Sequence, residues 1–411
     1  MPEFLSLISP EAALSLLFSH LDPVLSDEVT WTEQALGKVT AEDILSPNNL
    51  PEFRRSTVDG YAIVARDSHG ASESLPAYLK MAGEVLMGNT PEFDLGVKEC
   101  ALIHTGGMLL EGANAVVMLE DTQLLDGGEI EIYRSIASGE NVIEIGEDVI
   151  EGGLVIPRGT RLRPAEIGGL MALGITKIRT IFPPKIGIIS SGDEVIPPDQ
   201  IPMQGEVRDI NSYTLGTLIR EVGADVVHYG IIPDNRDDLM KILRIGLQEC
   251  DHLIVTAGSS ASSRDLTADV MNELGDPGVL VHGVSIKPGK PTIFALAGEK
   301  VMIGLPGNPV SALVIAYILV KPIIQAYLGL ENRKIYPSVL ANLTMNVPSQ
   351  AGREDWIPVR LIEGNKGNFQ AEPIFGRSNL IFLLAKADGL VKIPSPTTGL
   401  EAGATVSVRL F

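Results

Sequence analysis

The sequence predicts a multidomain protein of the α/β plus β class. A central doubly wound, mostly parallel αβ domain is expected at 183–330, with a β-rich domain at 30–145 and a small C-terminal β barrel at 331–411. Three observations predict this. After Pro183, strand-length apolar runs alternate with amphipathic helical runs, which makes a parallel sheet covered on both faces. On either side of that block, Gly, Pro, Asp and Asn punctuate short β-type runs. The chain has 411 residues, against roughly 150 per domain.

The elements follow in order. Residues 10–22 form a helical pattern, with Ser9 as N-cap and Pro10 at the first helical position. NAVVML and EIEIYRSI read as strands of the β-rich region. A Gly-punctuated stretch, GEDVIEGGLVIPRGTRLRPAEIGGLMALGI, takes helical spacing from Pro164. In the central block KIGIIS, ADVVHYGII, DHLIVTAG and VMIGLP are strands. SYTLGTLIREVG, NRDDLMKILRIGLQE, RDLTADVMNELG and NPVSALVIAYILVKPIIQAYLG are helices. The chain then returns to short strands ending in ATVSVRLF.

Composition narrows the function. Lys plus Arg is 32 and Asp plus Glu is 52, for a net charge of −20. Nucleic acid and anionic membranes, which need a basic face, are therefore not expected partners. Hydrophobic content of 45% marks a globular chain. Two cysteines, Cys100 and Cys250, make neither a disulfide scaffold nor a four-cysteine zinc site and fit a reducing compartment. The N-terminus has no basic region ahead of its apolar stretch, and the most apolar run, Val310–Val320, is shorter than the ~20 residues that span a bilayer. A cytoplasmic protein is expected.

The chemistry collects at strand ends, where open α/β sheets bind ligands. KIGIIS runs into Ser191, Gly192, Asp193 and Glu194. DHLIVTAG runs into a loop of small residues, with Gly258, Ser259 and Ser260, that ends at Asp265. VMIGLP runs into Gly307 and Asn308 at a helix start. Small residues let backbone N–H groups approach an anion. Glu194 and Asp265 are the leading pair for Mg²⁺, a hard cation that bridges phosphate oxygens. Locally, Asp265 also reads as a helix N-cap, and Asp209 and Asn211 read as turn and cap residues. SIKPGKP holds Lys287 and Lys290 around a stiff Pro288-Gly289 turn suited to an oxyanion, or to a solvated basic turn. Asp59 alone would be a turn aspartate, and the six histidines show no metal spacing. The chain has no nucleophile elbow, no P-loop and no GxGxxG after a strand.

Taken together, RRSTVDGYAI, IHTGGMLLEGANAVVMLEDT, GEDVIEGGLVIPRGTRLRPAEIGGLMALGI, PPKIGIISSGDEVI, VRDINSYTLGTLI, SIKPGKP and GLPGNPVSA resemble, in order, the molybdopterin molybdenumtransferase family. That family includes bacterial MoeA and the E domain of gephyrin. The resemblance implies an elongated four-domain homodimer, with a linking domain built from 1–29 and 146–182. It implies insertion of molybdenum from molybdate into adenylylated molybdopterin, with release of AMP and assistance by Mg²⁺. An upstream adenylyltransferase would supply the substrate. Functional roles carry over to Asp59, Thr105, Asp148, Glu194, Asp265 and Lys287, with Asp59 facing the partner's αβ domain. An oxyanion site carries over to Lys287, Pro288, Arg353 and Ser378. The chain departs from the family pattern at Leu110, Asn114, Ser262, Gly283 and Pro358. A non-catalytic molybdopterin-binding or scaffold protein of the same fold is the alternative. A nucleotide-dependent dehydrogenase is a distant third.

Overall fold

A computed structural model describes residues 7–257, 261–330, 336–364 and 367–411. The central sheet has six strands in the order Asp225–Ile232, Lys185–Ser191, His252–Ala257, Lys300–Pro306, Ile293–Ala297, Pro277–His282. The first four run parallel. His252–Ala257 is buried along its whole length and Lys185–Ser191 after its first residue, as expected of strands covered on both faces. The last two strands are antiparallel. They do not follow from the β–α alternation, because no helix separates them. Ile293–Ala297 turns straight into Lys300–Pro306 through Gly298, at φ 62°.

The helix after Lys300–Pro306 runs from Pro309 to Tyr327 and widens to π geometry over Ala316–Val320. Pro322 explains the widening, since it has no N–H to give the Ile318 carbonyl. The long helix expected over this segment therefore runs on through Lys321 and Pro322. Among the described residues this helix alone is long and apolar enough to cross a bilayer, and 78% of its apolar window is buried inside the protein.

The β-rich region is a six-stranded sheet: Ala115–Met118, Gly60–Ile63, Glu99–Ile103, Ala77–Val85, Glu129–Ile132, Thr122–Leu124. Tyr61, Ile63 and Val117 fill one face, and Ala62, Ile103 and Val116 the other. Gly60 is required because a Cβ there would lie 1.9 Å from the Val117 carbonyl oxygen.

The expected boundaries around this region need correction. Asp27–Trp31 pairs antiparallel with Lys177–Ile181, and Ile44–Leu45 with Leu154–Ile156, so a division at residue 30 cuts a strand. Ala35 and Ile44 pack with Ile156, Leu162 and Ile178. The first helix, Pro10–Ser19, is capped by the Ser9 hydroxyl, which accepts from the Ala12 N–H. Its Ala13 and Leu17 join the central core with Val284 and Val320. Pairings across some hundred residues leave no trace in local composition.

The C-terminal strands close into a five-stranded barrel. Glu354–Glu363 pairs with Phe369–Pro373 and with Gly389–Ile393. Ser338–Leu343 pairs with Phe369–Pro373 and with Thr405–Leu410, which returns to Gly389–Ile393. Ala341, Val359, Ala371, Val391 and Val408 fill it. The central domain contributes Ile286–Lys287, laid parallel on the barrel with Ile286 opposite Glu354 and Lys287 opposite Asp355.

At the amino edge of the sheet, His252 is buried. Its Nδ1 accepts from the Val301 N–H at 3.0 Å, and its ring meets Tyr327 edge-on at 3.9 Å. Burial pushes the imidazole down to about 4. An unfolded chain binds this proton at higher pH than the folded one. The contribution is therefore complete above 6.5 and lost as pH falls toward about 4. Urea midpoints should drop across that window more steeply in wild type than in His252→Asn, which keeps an acceptor and cannot titrate there.

Candidate functional site

Two cavities adjoin at the carboxyl edge of the central sheet. The first, about 310 Å³, lies where the strand order reverses around Lys185–Ser191. Ser190, Glu194, Asp209, Asn211, Thr256, Gly307 and Asn308 line it. Asp209 is buried. Its Oδ2 accepts from Ser190 Oγ at 2.9 Å and its Oδ1 from the Ser212 N–H at 3.1 Å, which caps the Asn211–Val222 helix. The cap expected of Asp209 is there. Asn211 is instead the first helical residue, and its Nδ2 donates to the Gly307 carbonyl at 2.9 Å. Its Oδ1 is buried and receives no hydrogen bond among the described residues.

The second cavity, about 770 Å³, lies between the central domain and the barrel. It gathers Lys287, Pro288, Lys290, Arg353 and Ser378. Consecutive residues join the two spaces: Pro309 and Asn379 line the first, Val310 and Ser378 the second. The Val310 N–H donates to the Ser378 carbonyl at 3.0 Å, clamping this divide. Gly289 sits at φ 113°, and a Cβ there would lie 2.2 Å from Ile315 Cγ1, so the turn carrying Lys287 admits only glycine. Beneath the cations lies Asp355. Its Oδ1 accepts from Arg353 Nε at 2.9 Å, and its Oδ2 stands 3.9 Å from Lys287 Nζ.

The third group lies in the β-rich sheet. Asp59 Oδ1 accepts from the Thr105 N–H at 2.8 Å and from Thr105 Oγ1 at 3.2 Å. These bonds, with a smaller effect from His104, hold its carboxyl below the usual carboxylate range. His104 Nδ1 is 3.8 Å from Asp59 and its Nε2 is 3.0 Å from Glu84.

The sequence-derived residues thus fall into three places. Lys287, Pro288, Arg353 and Ser378 meet in one cavity. Glu194, Gly307 and Asn308 meet in the other. Asp59 and Thr105 bond each other, while Asp148 is exposed, and none of these three lines either cavity. Asp265 departs from expectation. It is exposed at the fifth position of Ala261–Leu274, one turn too late for an N-cap, and does not line the Glu194 cavity. Gly258, Ser259 and Ser260 lie outside the described residues. Arg360 pairs with Glu372 and does not line the cavity beside Pro358. Gly283 has φ 107°, in the left-handed region that favours glycine.

A Mg²⁺ ion fits the first cavity by donor chemistry. Glu194 and the orphaned Asn211 Oδ1 are hard oxygens, and Mg²⁺ needs only one or two protein ligands beside substrate phosphate and water. Among the described residues no three His, Cys, Asp or Glu side chains cluster as a self-sufficient metal cage.

Sequence reasoning missed two acidic residues. Asp234 follows Asp225–Ile232 at the same sheet edge and accepts from Ser191 Oγ at 2.5 Å. The strand-end rule applied to this loop as well. Asp355 shares strand parity with the inward-facing Val359 of the barrel, and a carboxylate at that parity is the signal.

An open α/β sheet with paired carboxyl-edge cavities, completed by a small barrel, defines a multidomain small-molecule-binding protein. Family models match it in three parts. "MoeA N-terminal region (domain I and II)" covers 8–174, "Probable molybdopterin binding domain" 187–326, and "MoeA C-terminal region (domain IV)" 341–411. A "Putative molybdopterin biosynthesis protein" of Methanocaldococcus jannaschii is 35% identical, covering 99% of this chain and 98% of its own length. A "Molybdopterin molybdenumtransferase" of Haemophilus influenzae is 31% identical, covering 98% and 99%. The crystal structure of the molybdopterin biosynthesis MoeA protein from Pyrococcus horikoshii superposes with a TM-score of 0.86, at 30% identity, over 99% of this chain and 100% of that one. The chain belongs to the MoeA family, the molybdopterin molybdenumtransferases.

The Asp59 pair yields one prediction. Thr105→Val removes the hydroxyl donor and keeps the backbone N–H, which is the larger cause of the low carboxyl value. An NMR titration should show Asp59 moving part of the way back toward 3.8. An unmoved Asp59 would remove the hydroxyl from the account.

Proposed function

We propose that this chain is a molybdopterin molybdenumtransferase that inserts molybdenum from molybdate into adenylylated molybdopterin and releases AMP. The observation that carries this reading is the meeting of Lys287, Arg353 and Ser378 in a cavity that opens beside the one holding Glu194. An oxyanion held by two cations and a hydroxyl would sit next to a nucleotide-phosphate end held at the sheet edge. The substrate's pyrophosphate link spans such a divide.

The residues then take distinct roles. Lys287 and Arg353 offset the cost of stripping water from a dianion, and Ser378 Oγ donates a hydrogen bond. Glu194, with Asn211 Oδ1, would hold Mg²⁺, which when bound supplies charge neutralisation at phosphate oxygens. Asp59 and Asp148 lie off both cavities of their own chain. In a cytoplasmic homodimer they would complete the partner's site, with Thr105 keeping Asp59 ionised. Asp265 would act at the phosphate end from the helix Ala261–Leu274. An upstream adenylyltransferase would make the substrate.

Incubation with adenylylated molybdopterin, molybdate and Mg²⁺ tests the reading by AMP release and bound molybdenum. Ligand binding with no AMP release would favour the scaffold alternative. Glu194→Gln and Asp265→Asn should each lower turnover by on the order of 10²–10³. Normal Mg²⁺ dependence and normal AMP release in both variants would count against those roles.

Lys287→Ala should raise the molybdate concentration for half-maximal insertion about ten-fold, since a hydrogen bond to a charged group contributes roughly 1.5–3 kcal/mol. Circular dichroism should stay unchanged, because this lysine is exposed. In sedimentation the protein should run at about twice 43.9 kDa. A fully active monomer would remove the composite-site model.

A further inference from the structure

We propose that Asp355 is a positioning residue of the oxyanion cavity, holding the Arg353 guanidinium in place and serving as the resting partner of the Lys287 ammonium, which leaves it for the entering anion. This rests on the molybdate reading of the cavity.

The geometry separates Asp355 from the groups that would touch an anion. Lys287 and Arg353 line the cavity and Asp355 does not. Its side chain is 1% exposed, against 32% for Arg353 and 59% for Lys287. The carboxylate is therefore the fixed end of both pairs and the lysine ammonium the movable one. Arg353 is anchored through Nε, which leaves its two terminal nitrogens without a bond among the described residues. An Nε anchor sets the plane of the fork and aims those donors.

The other oxygen is unusual. Asp355 Oδ2 is buried and receives no hydrogen bond among the described residues. A buried carboxylate oxygen without a donor is costly. Lys287 Nζ, at 3.9 Å, is near enough for charge attraction and too far for a hydrogen bond. The backbone fixes this spacing, because Lys287 and Asp355 are opposite one another in the parallel pairing of Ile286–Lys287 with the barrel. Lysine's four-carbon stem lets the ammonium move between the carboxylate and the cavity without disturbing that pairing.

The charge balance explains a carboxylate behind an anion site. Two bare cations side by side repel and wander. One buried negative charge holds them and leaves a net +1 across the three groups. An anion that takes Lys287 from Asp355 meets donors already in place and orders less on binding.

The test is calorimetric titration of molybdate into wild type, Asp355→Asn, Asp355→Glu, Arg353→Ala and the Arg353→Ala/Asp355→Asn double variant, with insertion kinetics alongside. Asp355→Asn keeps shape and should weaken molybdate binding about ten-fold, close to 1.4 kcal/mol. The loss should fall on the KM for molybdate more than on kcat. On the Arg353→Ala background the same change should cost less than about two-fold, because part of its effect passes through the arginine. Asp355→Glu, which keeps the charge and moves it by one methylene, should lie between wild type and Asp355→Asn. It carries the test if the asparagine variant does not fold. Wild-type affinity in a folded Asp355→Asn, or equal losses with and without Arg353, overturns the proposal alone. Wild type that binds no molybdate overturns the functional reading with it.

Discussion

The arrangement of this molecule hangs on one buried negative charge shared between two domains. Asp355 belongs to the barrel by sequence and strand pairing, but one of its two cationic neighbours, Lys287, arrives from the central domain on a two-residue strand. A carboxylate taken out of water costs several kcal/mol unless paired. Here Arg353 of the barrel supplies one partner, and the second, Lys287, is available only when the central domain lies against the barrel in one register. A shift by one residue would turn Lys287 to the other face of the strand and leave Asp355 with Arg353 alone. Domain docking and the shape of the cationic cavity are therefore one physical event.

The neighbouring cavity obeys a different logic. Its floor is a polar knot of Ser190, Asp209, Ser212 and Thr256, whose hydroxyls and carboxylate satisfy each other inside the sheet edge. These groups hold the start of the Asn211–Val222 helix against the end of Lys185–Ser191, so the crevice at the reversal of strand order keeps its shape. The same clamp recurs at the divide, where the Val310 N–H is tied to Ser378. Both cavities are thus walled by strand ends and helix starts that these bonds hold in place.

Much of this was legible in the sequence. The central strands and helices follow from alternation and turn chemistry, and Lys287, Pro288, Arg353 and Ser378, picked out by a motif resemblance, line one cavity. What was hidden is non-local. The antiparallel pair Pro277–His282 and Ile293–Ala297 has no crossover helix to announce it. The pairing of Asp27–Trp31 with Lys177–Ile181 joins segments far apart in the chain, which the resemblance and not composition placed together. Asp265 was placed beside Glu194 because both follow strands. The helix starts at Ala261, however, so Asp265 points from its second turn and not from its cap. Asp355 escaped notice because a lone acidic residue in a strand carries meaning only once the inward face of the barrel is known.

The two-residue strand also bears on how far this architecture can be taken apart. Family models treat the barrel and the central fold as separate blocks, and the barrel has a core of its own, although its Trp356 and Leu390 pack into the central core. Yet a barrel cut free at residue 336 would lose the Ile286–Lys287 strand, bare the start of Glu354–Glu363 as a raw edge, and strand part of its buried charge. Swapping barrels between relatives would succeed only where the donor brings a carboxylate in the same register to a lysine in the same turn. The unit of inheritance here is the joint, and it is larger than either block that meets there.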